Sequence, residues 1–330
     1  MKVAVMGAGT WGTTFGLVVC DSGHEVTLWS RRPELAAAIN ATGRNPDYLP
    51  DVELPATLRA VSDPAEAMAG AYAVVLAVPS QLLRTTLGGW DVPRDARVVS
   101  LAKGIELGTG RRMSEVVAEA AGVGADRLAV VTGPNLAREI AARQPSASVA
   151  ASASHETALD VQRLCHTPSF RVYTNADVVG CELAGATKNV IALAVGMAVG
   201  LGFGANATAS LITRGLAETS RLGVALGADP YTFAGLAGLG DLVATCASPL
   251  SRNRTFGEEL GRGRSVADIS RSTRQVAEGV LSCASVQALA AEHGVEMPIV
   301  EHVAAVIAGD LTPIQGVKDL MGRAPGRERD

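Results

Sequence analysis

Lys188 lies inside the stretch Cys181-Glu-Leu-Ala-Gly-Ala-Thr-Lys-Asn-Val-Ile-Ala-Leu-Ala-Val195. At helical spacing it shares a face with Cys181, Ala184, Gly185, Ile191, Ala192 and Val195, all small or apolar. A cation on such a face is costly unless it has a partner or a task. Burial disfavours the charged form and brings a lysine from about 10.4 toward neutrality, where it can exchange a proton with a substrate. The alternative is a lysine near a helix end whose stem covers apolar surface while its head reaches water. Lys103 follows the apolar run Val98-Val-Ser-Leu-Ala102 and precedes Gly104. That places it at the carboxyl edge of a sheet, where doubly wound folds bind ligands. There it could polarise a carbonyl or hold an anion; a solvent-facing loop lysine fits the same spacing.

Three further stretches carry polar chemistry. Gly133-Pro134-Asn135 follows a second apolar run and opens a helix, with the proline suited to the first turn. Its free N–H groups and the Asn135 amide would face the same crevice, or serve as simple capping. Ser248-Pro-Leu-Ser-Arg-Asn-Arg254 sets hydroxyl, guanidinium and amide groups at a helix start, a cradle for a substrate phosphate. Asp241, in Gly238-Leu-Gly-Asp-Leu242, could pair with Lys188 and orient it, or cap a helix.

A redox partner for that proton transfer is written at the N-terminus. The apolar run Lys2-Val-Ala-Val-Met6 ends in Gly7-x-Gly9-x-x-Gly12, and residues 11–20 can form a helix. In this strand–turn–helix setting the glycine triplet reads as a dinucleotide site. Gly7 permits the tight turn, Gly9 lets the pyrophosphate approach the backbone, and Gly12 lets helix and strand pack closely. The phosphates then meet unpaired N–H groups at a positively polarised helix end. The second strand, Glu25-Val-Thr-Leu-Trp29, is followed by Ser30-Arg31-Arg32 and by no carboxylate for a ribose 2′-hydroxyl. Two guanidiniums suit a 2′-phosphate, so NADP(H) is favoured and NAD(H) stays open; the bland alternative is a solvated pair opening a helix at Pro33. Next to a hydride donor, the Lys188 ammonium could protonate the oxygen of a ketone under reduction.

The elements that must position these groups are legible as alternation. Apolar runs at 2–6, 25–29, 73–78, 97–101, 128–132, 147–151 and 170–173 read as strands. Helical stretches at 11–22, 33–40, 63–69, 80–88, 110–121, 135–142 and 155–165 separate most of them. This predicts right-handed crossovers and a mostly parallel, doubly wound α/β sheet of Rossmann type. From Asp177 only helices are expected, near 177–201, 206–223, 230–245, 252–261, 265–270, 282–293, 298–308 and 312–321. The expected division is a dinucleotide-binding domain over 1–176 and an all-α substrate domain over 177–330, with the active site in the cleft between them. The charged tail 323–330 is expected to be disordered.

Bulk numbers narrow the function class. A chain of 330 residues exceeds one small core. A net charge of −4 argues against a nucleic-acid surface. Cys20, Cys165, Cys181, Cys246 and Cys283 are odd in number and lack a CxxC pair, the pattern of a reducing compartment with buried thiols. The histidines show no metal spacing, and no signal peptide is visible. Residues 189–213 bear no charge, but Val190–Phe203 supplies only 14 strongly apolar residues, broken by Gly196, Gly200 and Gly202. A membrane span needs about 20, so a buried core helix is expected and no stable membrane insertion.

Taken together, the stretches GAGTWG (7–12), AKGIE (102–106), GPNLA (133–137), ELAGATKNVIALAVGM (182–197), ITRGLAE (212–218), LGADP (226–230), GLGDLVATC (238–246), SRNRTFG (251–257) and GVEMPI (294–299) resemble the bacterial-type NAD(P)-dependent glycerol-3-phosphate dehydrogenases. They keep the family's order and spacing over nearly the whole chain. The resemblance implies that Lys188 transfers the proton, and that Lys103, Gly133, Asn135, Lys188, Asp241, Ser251, Arg252 and Asn253 line the glycerol phosphate site. It implies cofactor contacts at Gly7, Gly9, Thr10, Trp11, Gly12, Arg31, Arg32, Tyr48, Lys103, Ala137, Arg252, Val276 and Glu278. It further implies reduction of dihydroxyacetone phosphate to sn-glycerol 3-phosphate for phospholipid synthesis, by a cytoplasmic homodimer. Asn135 stands where many members have Ser or Thr, Val199 replaces a common aspartate, and Thr208 a basic residue. Two rivals fit parts of the pattern: a β-hydroxyacid dehydrogenase of related architecture, and a non-catalytic NADP(H)-binding sensor.

Overall fold

The computed structural model describes residues 1–272 and 277–324. Eight strands, β1 (Lys2–Met6), β2 (Glu25–Trp29), β3 (Leu58–Val61), β4 (Ala73–Leu76), β5 (Arg97–Ser100), β6 (Leu128–Thr132), β7 (Ser146–Ala151) and β8 (Phe170–Asn175), form one sheet. Their order is β3-β2-β1-β4-β5-β6-β7-β8. Every neighbouring pair is parallel except β6 with β7, where Val130 faces Ala151. The order reverses between β1 and β4, and the crevice outside their carboxyl ends is where such sheets bind ligands. Apolar clusters fill both faces of the sheet, with Val3, Val5 and Leu28 on one side and Ala4, Met6 and Leu76 on the other.

One strand was not expected from the sequence. β3 is four residues, Leu-Arg-Ala-Val, at the sheet edge, pairing with β2 alone and pointing Arg59 to solvent. Too short and too mixed to show a period, it forms because β2 supplies a template.

Beyond Asn175 the described residues are helical. The long helix Val178–Gly200 runs through the middle of this half, capped by Asp177, whose carboxylate accepts from the Gly180 N–H at 2.8 Å. From Gly180 to Ala198 every residue but Lys188 is buried. This is the one helix among the described residues long and apolar enough to cross a membrane, and 83% of its apolar window is buried inside the protein. Its glycines have a packing cause. A Cβ on Gly196 would meet the Arg254 carbonyl at 2.1 Å, and one on Gly200 the Glu258 carbonyl at 2.2 Å. Across the contact, Gly257 and Gly261 would strike Leu193 and Met197 carbonyls at 2.2 and 2.3 Å. Two small-xxx-small faces therefore press backbone on backbone, which brings the start of helix Arg252–Gly261 up to the long helix.

The expected helix over 230–245 is instead three pieces: Pro230–Ala234, a π-helical turn Leu236–Gly240, and Asp241–Ala247. Gly238 lies on the Phe233 backbone, where a Cβ would come within 2.1 Å of a carbonyl, so the chain is folded back tightly before Asp241. Such π turns widen a helix locally and are common where a side chain must be aimed. Val199 sits in the last turn of the long helix and Thr208 in the first turn of Ala205–Ala225. Val199 is about 16 Å along the axis from Lys188.

Candidate active site

The glycine turn is built as its residue types require. Gly7 has φ +141°, and a Cβ there would meet the Ala77 carbonyl at 2.5 Å. At Gly12 a Cβ would strike the Gly7 carbonyl at 1.9 Å, so this glycine lets the helix Thr10–Asp21 sit on β1. Gly9 differs: nothing lies within 4 Å of its Cβ position. It is the helix N-cap without any side-chain cap bond, which leaves N–H groups of the first turn facing open space. Trp11 Nε1 is buried and has no hydrogen-bond partner among the described residues. An open backbone cradle on a helix N-terminus with an orphaned donor beside it fits a dinucleotide pyrophosphate.

Around this turn the structure gathers Tyr48, whose carbonyl accepts from Thr10 Oγ1 at 3.5 Å, and Ala137, whose carbonyl accepts from Thr14 Oγ1 at 3.3 Å. Arg31 and Arg32 follow β2 on the same edge, and Arg32 lies 5.9 Å from the Tyr48 ring centroid. Glu278 begins helix Glu278–Glu292, next to Gly279, whose N–H donates to Asn253 Oδ1 at 2.9 Å. Val276 lies outside the described residues.

The lysines converge on one carboxylate. Lys188 Nζ donates to Asp241 Oδ1 and, at 2.9 Å, to Thr245 Oγ1. Lys103 Nζ donates to the other oxygen, Oδ2, at 2.5 Å and to the Gly133 carbonyl at 3.3 Å. Lys103 and Gly133 follow β5 and β6, so the cluster joins the carboxyl edge of the sheet to the long helix. Gly185 makes room for this: a Cβ there would lie 3.5 Å from the Lys103 stem and 3.3 Å from Thr132 Oγ1. Asp241 is not a helix cap; Gly240 holds that position, and the Asp241 side chain is 1% exposed between the two ammoniums.

Electrostatics follow from that burial. Removal from water pulls Lys188 down to about 8; Asp241 opposes this and the neighbouring Lys103 adds to it. Burial by itself would raise the Asp241 carboxyl, but the charges of Lys103 and Lys188 hold it below its ordinary value. The trio is therefore two ammoniums on one carboxylate, with one positive charge left over. Lys188 can release a proton near neutrality, and the site as a whole favours an anion.

The residues expected from the sequence to cradle a phosphate meet the structure in different ways. Ser251 caps helix Arg252–Gly261 by accepting from the Arg254 N–H at 3.3 Å, and Arg252 is exposed at the first helical position. Asn253 turns inward: its Nδ2 donates to Asn189 Oδ1 at 2.9 Å while its Oδ1 holds Gly279. Asn135 Nδ2 donates to Ser148 Oγ at 3.2 Å, leaving its Oδ1 buried and without a partner among the described residues.

Sequence reasoning missed three contributors. Asn189, next to Lys188, keeps a buried Nδ2 unpartnered among the described residues. Thr245 is one helical turn after Asp241 and bonds both members of the ion pair. Both were findable by spacing. Glu182 was not: buried in the long helix, it accepts from the Ser114 N–H and from Arg112 Nη1, each at 2.7 Å, and so ties the helix bearing Lys188 to Met113–Ala121.

Comparison with known proteins adds family evidence. A family model described as the NAD-dependent glycerol-3-phosphate dehydrogenase N-terminus matches residues 2–158, and one described as the C-terminus matches 177–318. A Streptomyces avermitilis NAD(P)+ glycerol-3-phosphate dehydrogenase is 61% identical, covering 100% of this chain and 98% of its own. A Frankia casuarinae relative of the same description is 60% identical over 99% and 98% of the two chains. The crystal structure of a Coxiella burnetii glycerol-3-phosphate dehydrogenase superposes with a TM-score of 0.93 at 38% identity, over 98% of this chain and 99% of that one.

Proposed function

The chain belongs to the NAD-dependent glycerol-3-phosphate dehydrogenase family and is an NAD(P)-dependent oxidoreductase; we propose that Lys188 is its proton-transfer residue in the reduction of dihydroxyacetone phosphate. The observation that carries this reading is the Lys188 ammonium, its side chain only 11% exposed, on Asp241, with Lys103 on the opposite oxygen at the sheet edge. The Gly7–Gly12 turn would hold a nicotinamide cofactor, which when bound would supply hydride to C2 of the ketone. Lys188 Nζ gives its proton to the C2 oxygen as the ketone becomes an alcohol, and takes it back in the reverse direction. Asp241 and Thr245 hold the ammonium in place, while Lys103, Gly133 and Asn135 face the same oxygen-rich substrate. Ser251, Arg252 and the N–H groups of their helix start receive the phosphate. Asn253 serves by setting Asn189.

In this reading residues 1–176 hold the cofactor and 177–330 the substrate. Gly7, Gly9, Thr10, Trp11, Gly12, Arg31, Arg32, Tyr48 and Ala137 form the cofactor wall, with Glu278 entering from the helical half; Val276 stays a contact that the family resemblance implies. NADP(H) is preferred because two arginines and no carboxylate end β2. The product feeds phospholipid synthesis, and the enzyme works as a cytoplasmic homodimer; five free cysteines agree with a reducing compartment.

The test follows the absorbance of NADPH and of NADH, each with dihydroxyacetone phosphate and with small 2- and 3-keto acids. Oxidation is expected with the phosphate alone. Turnover of the keto acids instead would favour the β-hydroxyacid dehydrogenase reading, and cofactor binding without any turnover the sensor. Arg252→Ala should raise the Michaelis constant for dihydroxyacetone phosphate roughly 10- to 100-fold, the scale of one charge-assisted hydrogen bond, with a smaller change in kcat. An unchanged constant would remove Arg252 from the cradle.

A further inference from the structure

We propose that Asp47 sets the balance between NADPH and NADH by acting as the built-in counter-ion of Arg32. The inference rests on the reading of Arg32 as a contact for the cofactor 2′-phosphate. Arg32 Nη2 donates to Asp47 Oδ2 at 2.5 Å, and its Nε lies 4.0 Å from Glu34 Oε1. The guanidinium fork that would grip a phosphate monoester thus already holds a carboxylate.

The backbone on either side of Asp47 is anchored to the glycine turn. Asn45, buried and two residues earlier, donates from Nδ2 to the Ala8 carbonyl at 3.0 Å and to Thr13 Oγ1 at 2.8 Å. Its Oδ1 accepts from the Tyr48 N–H at 3.3 Å, and its carbonyl from the Leu49 N–H at 2.9 Å. On the other side, Ser30 Oγ accepts from the Arg32 N–H at 3.2 Å. The segment that bears Asp47 is therefore tied to the cofactor cradle, and its carboxylate meets Arg32 from there.

The two cofactors meet this block differently. An unphosphorylated ribose leaves Arg32 neutralised by Asp47, so no cation is stranded. A 2′-phosphate must share or displace the carboxylate, and two like charges then face one another. The repulsion acts on one cofactor only, which is how an anion discriminates between them. Both side chains are 42% exposed, so screening keeps the effect moderate.

Asp47→Asn should raise the NADPH-over-NADH ratio of kcat/KM about three- to fivefold, through the NADPH Michaelis constant with kcat unchanged. Asp47→Glu, which keeps the charge, should stay within about twofold of wild type. Calorimetric titration with 2′,5′-ADP and with ADP should show the same selective gain without turnover. A ratio unmoved by Asp47→Asn, or both nucleotides shifting together, overturns the proposal. Arg32→Ala separates the premise: if it weakens 2′,5′-ADP while Asp47→Asn moves nothing, the counter-ion role fails alone. If Arg32→Ala also leaves 2′,5′-ADP binding intact, the phosphate contact itself is wrong.

Discussion

Lys188→Ala is expected to lose roughly 10²- to 10⁴-fold in turnover while binding the dinucleotide almost as tightly as wild type. The asymmetry comes from charge counting at the cluster. Removing Lys188 leaves Lys103 on Asp241, a neutral pair already at 2.5 Å, so the fold keeps a satisfied buried carboxylate. What disappears is the group that holds a transferable proton. Its position near 8 also fixes the pH profile. Under the proposed role of Lys188, ketone reduction needs the ammonium, so kcat/KM in that direction should fall as pH rises through about 8; alcohol oxidation needs the amine and should rise over the same range. Lys188→Arg keeps the charge but cannot give up its proton near neutrality, so it should abolish this limb rather than move it. Stopped-flow and steady-state rates from pH 6 to pH 10 (on the order of four pH units around the lysine) check both statements. Near-normal turnover in Lys188→Ala would rule out the role.

The readable parts of this protein were those whose signal is local. The glycine triplet, the strands from β1 to β8 other than β3, and the uncharged apolar stretch that ends the long helix each announce themselves locally. The cluster of Lys103, Lys188 and Asp241 does not. Lys103 and Asp241 are 138 residues apart, and nothing in either neighbourhood names the other. The sequence offered capping and pairing as equal roles for Asp241; what decides is the π turn at Leu236–Gly240, which no apolar period predicts. Gly196 and Gly200 looked like interruptions of a hydrophobic run. Their meaning appears only with Gly257 and Gly261 against them, because close backbone packing is a property of two helices. β3 was missed for the mirror-image reason: its four residues become a strand through β2 rather than through their own pattern.

Asp241→Asn should be the more damaging change, although it alters one atom. The amide has the shape of the carboxylate but not its charge, and it leaves two ammonium groups facing each other in a buried site. Breaking a buried ion pair by removing one partner costs about 3–5 kcal/mol, so a clear drop in melting temperature is expected alongside the loss of activity. The stability loss alone would be uninformative, since any core defect produces it. The pH profile is the discriminating readout. Asp241 supports the charged form of Lys188 against burial and against Lys103. With that support gone, the lysine must titrate lower, and the falling limb of the reduction rate should move to the acid side of 8. Residual activity measured across pH on the folded fraction, below the melting range, decides the matter. A limb that stays where wild type has it would mean that Asp241 braces the fold without tuning the proton. A limb displaced toward acid would mean that the carboxylate sets the pH at which this enzyme can reduce its substrate.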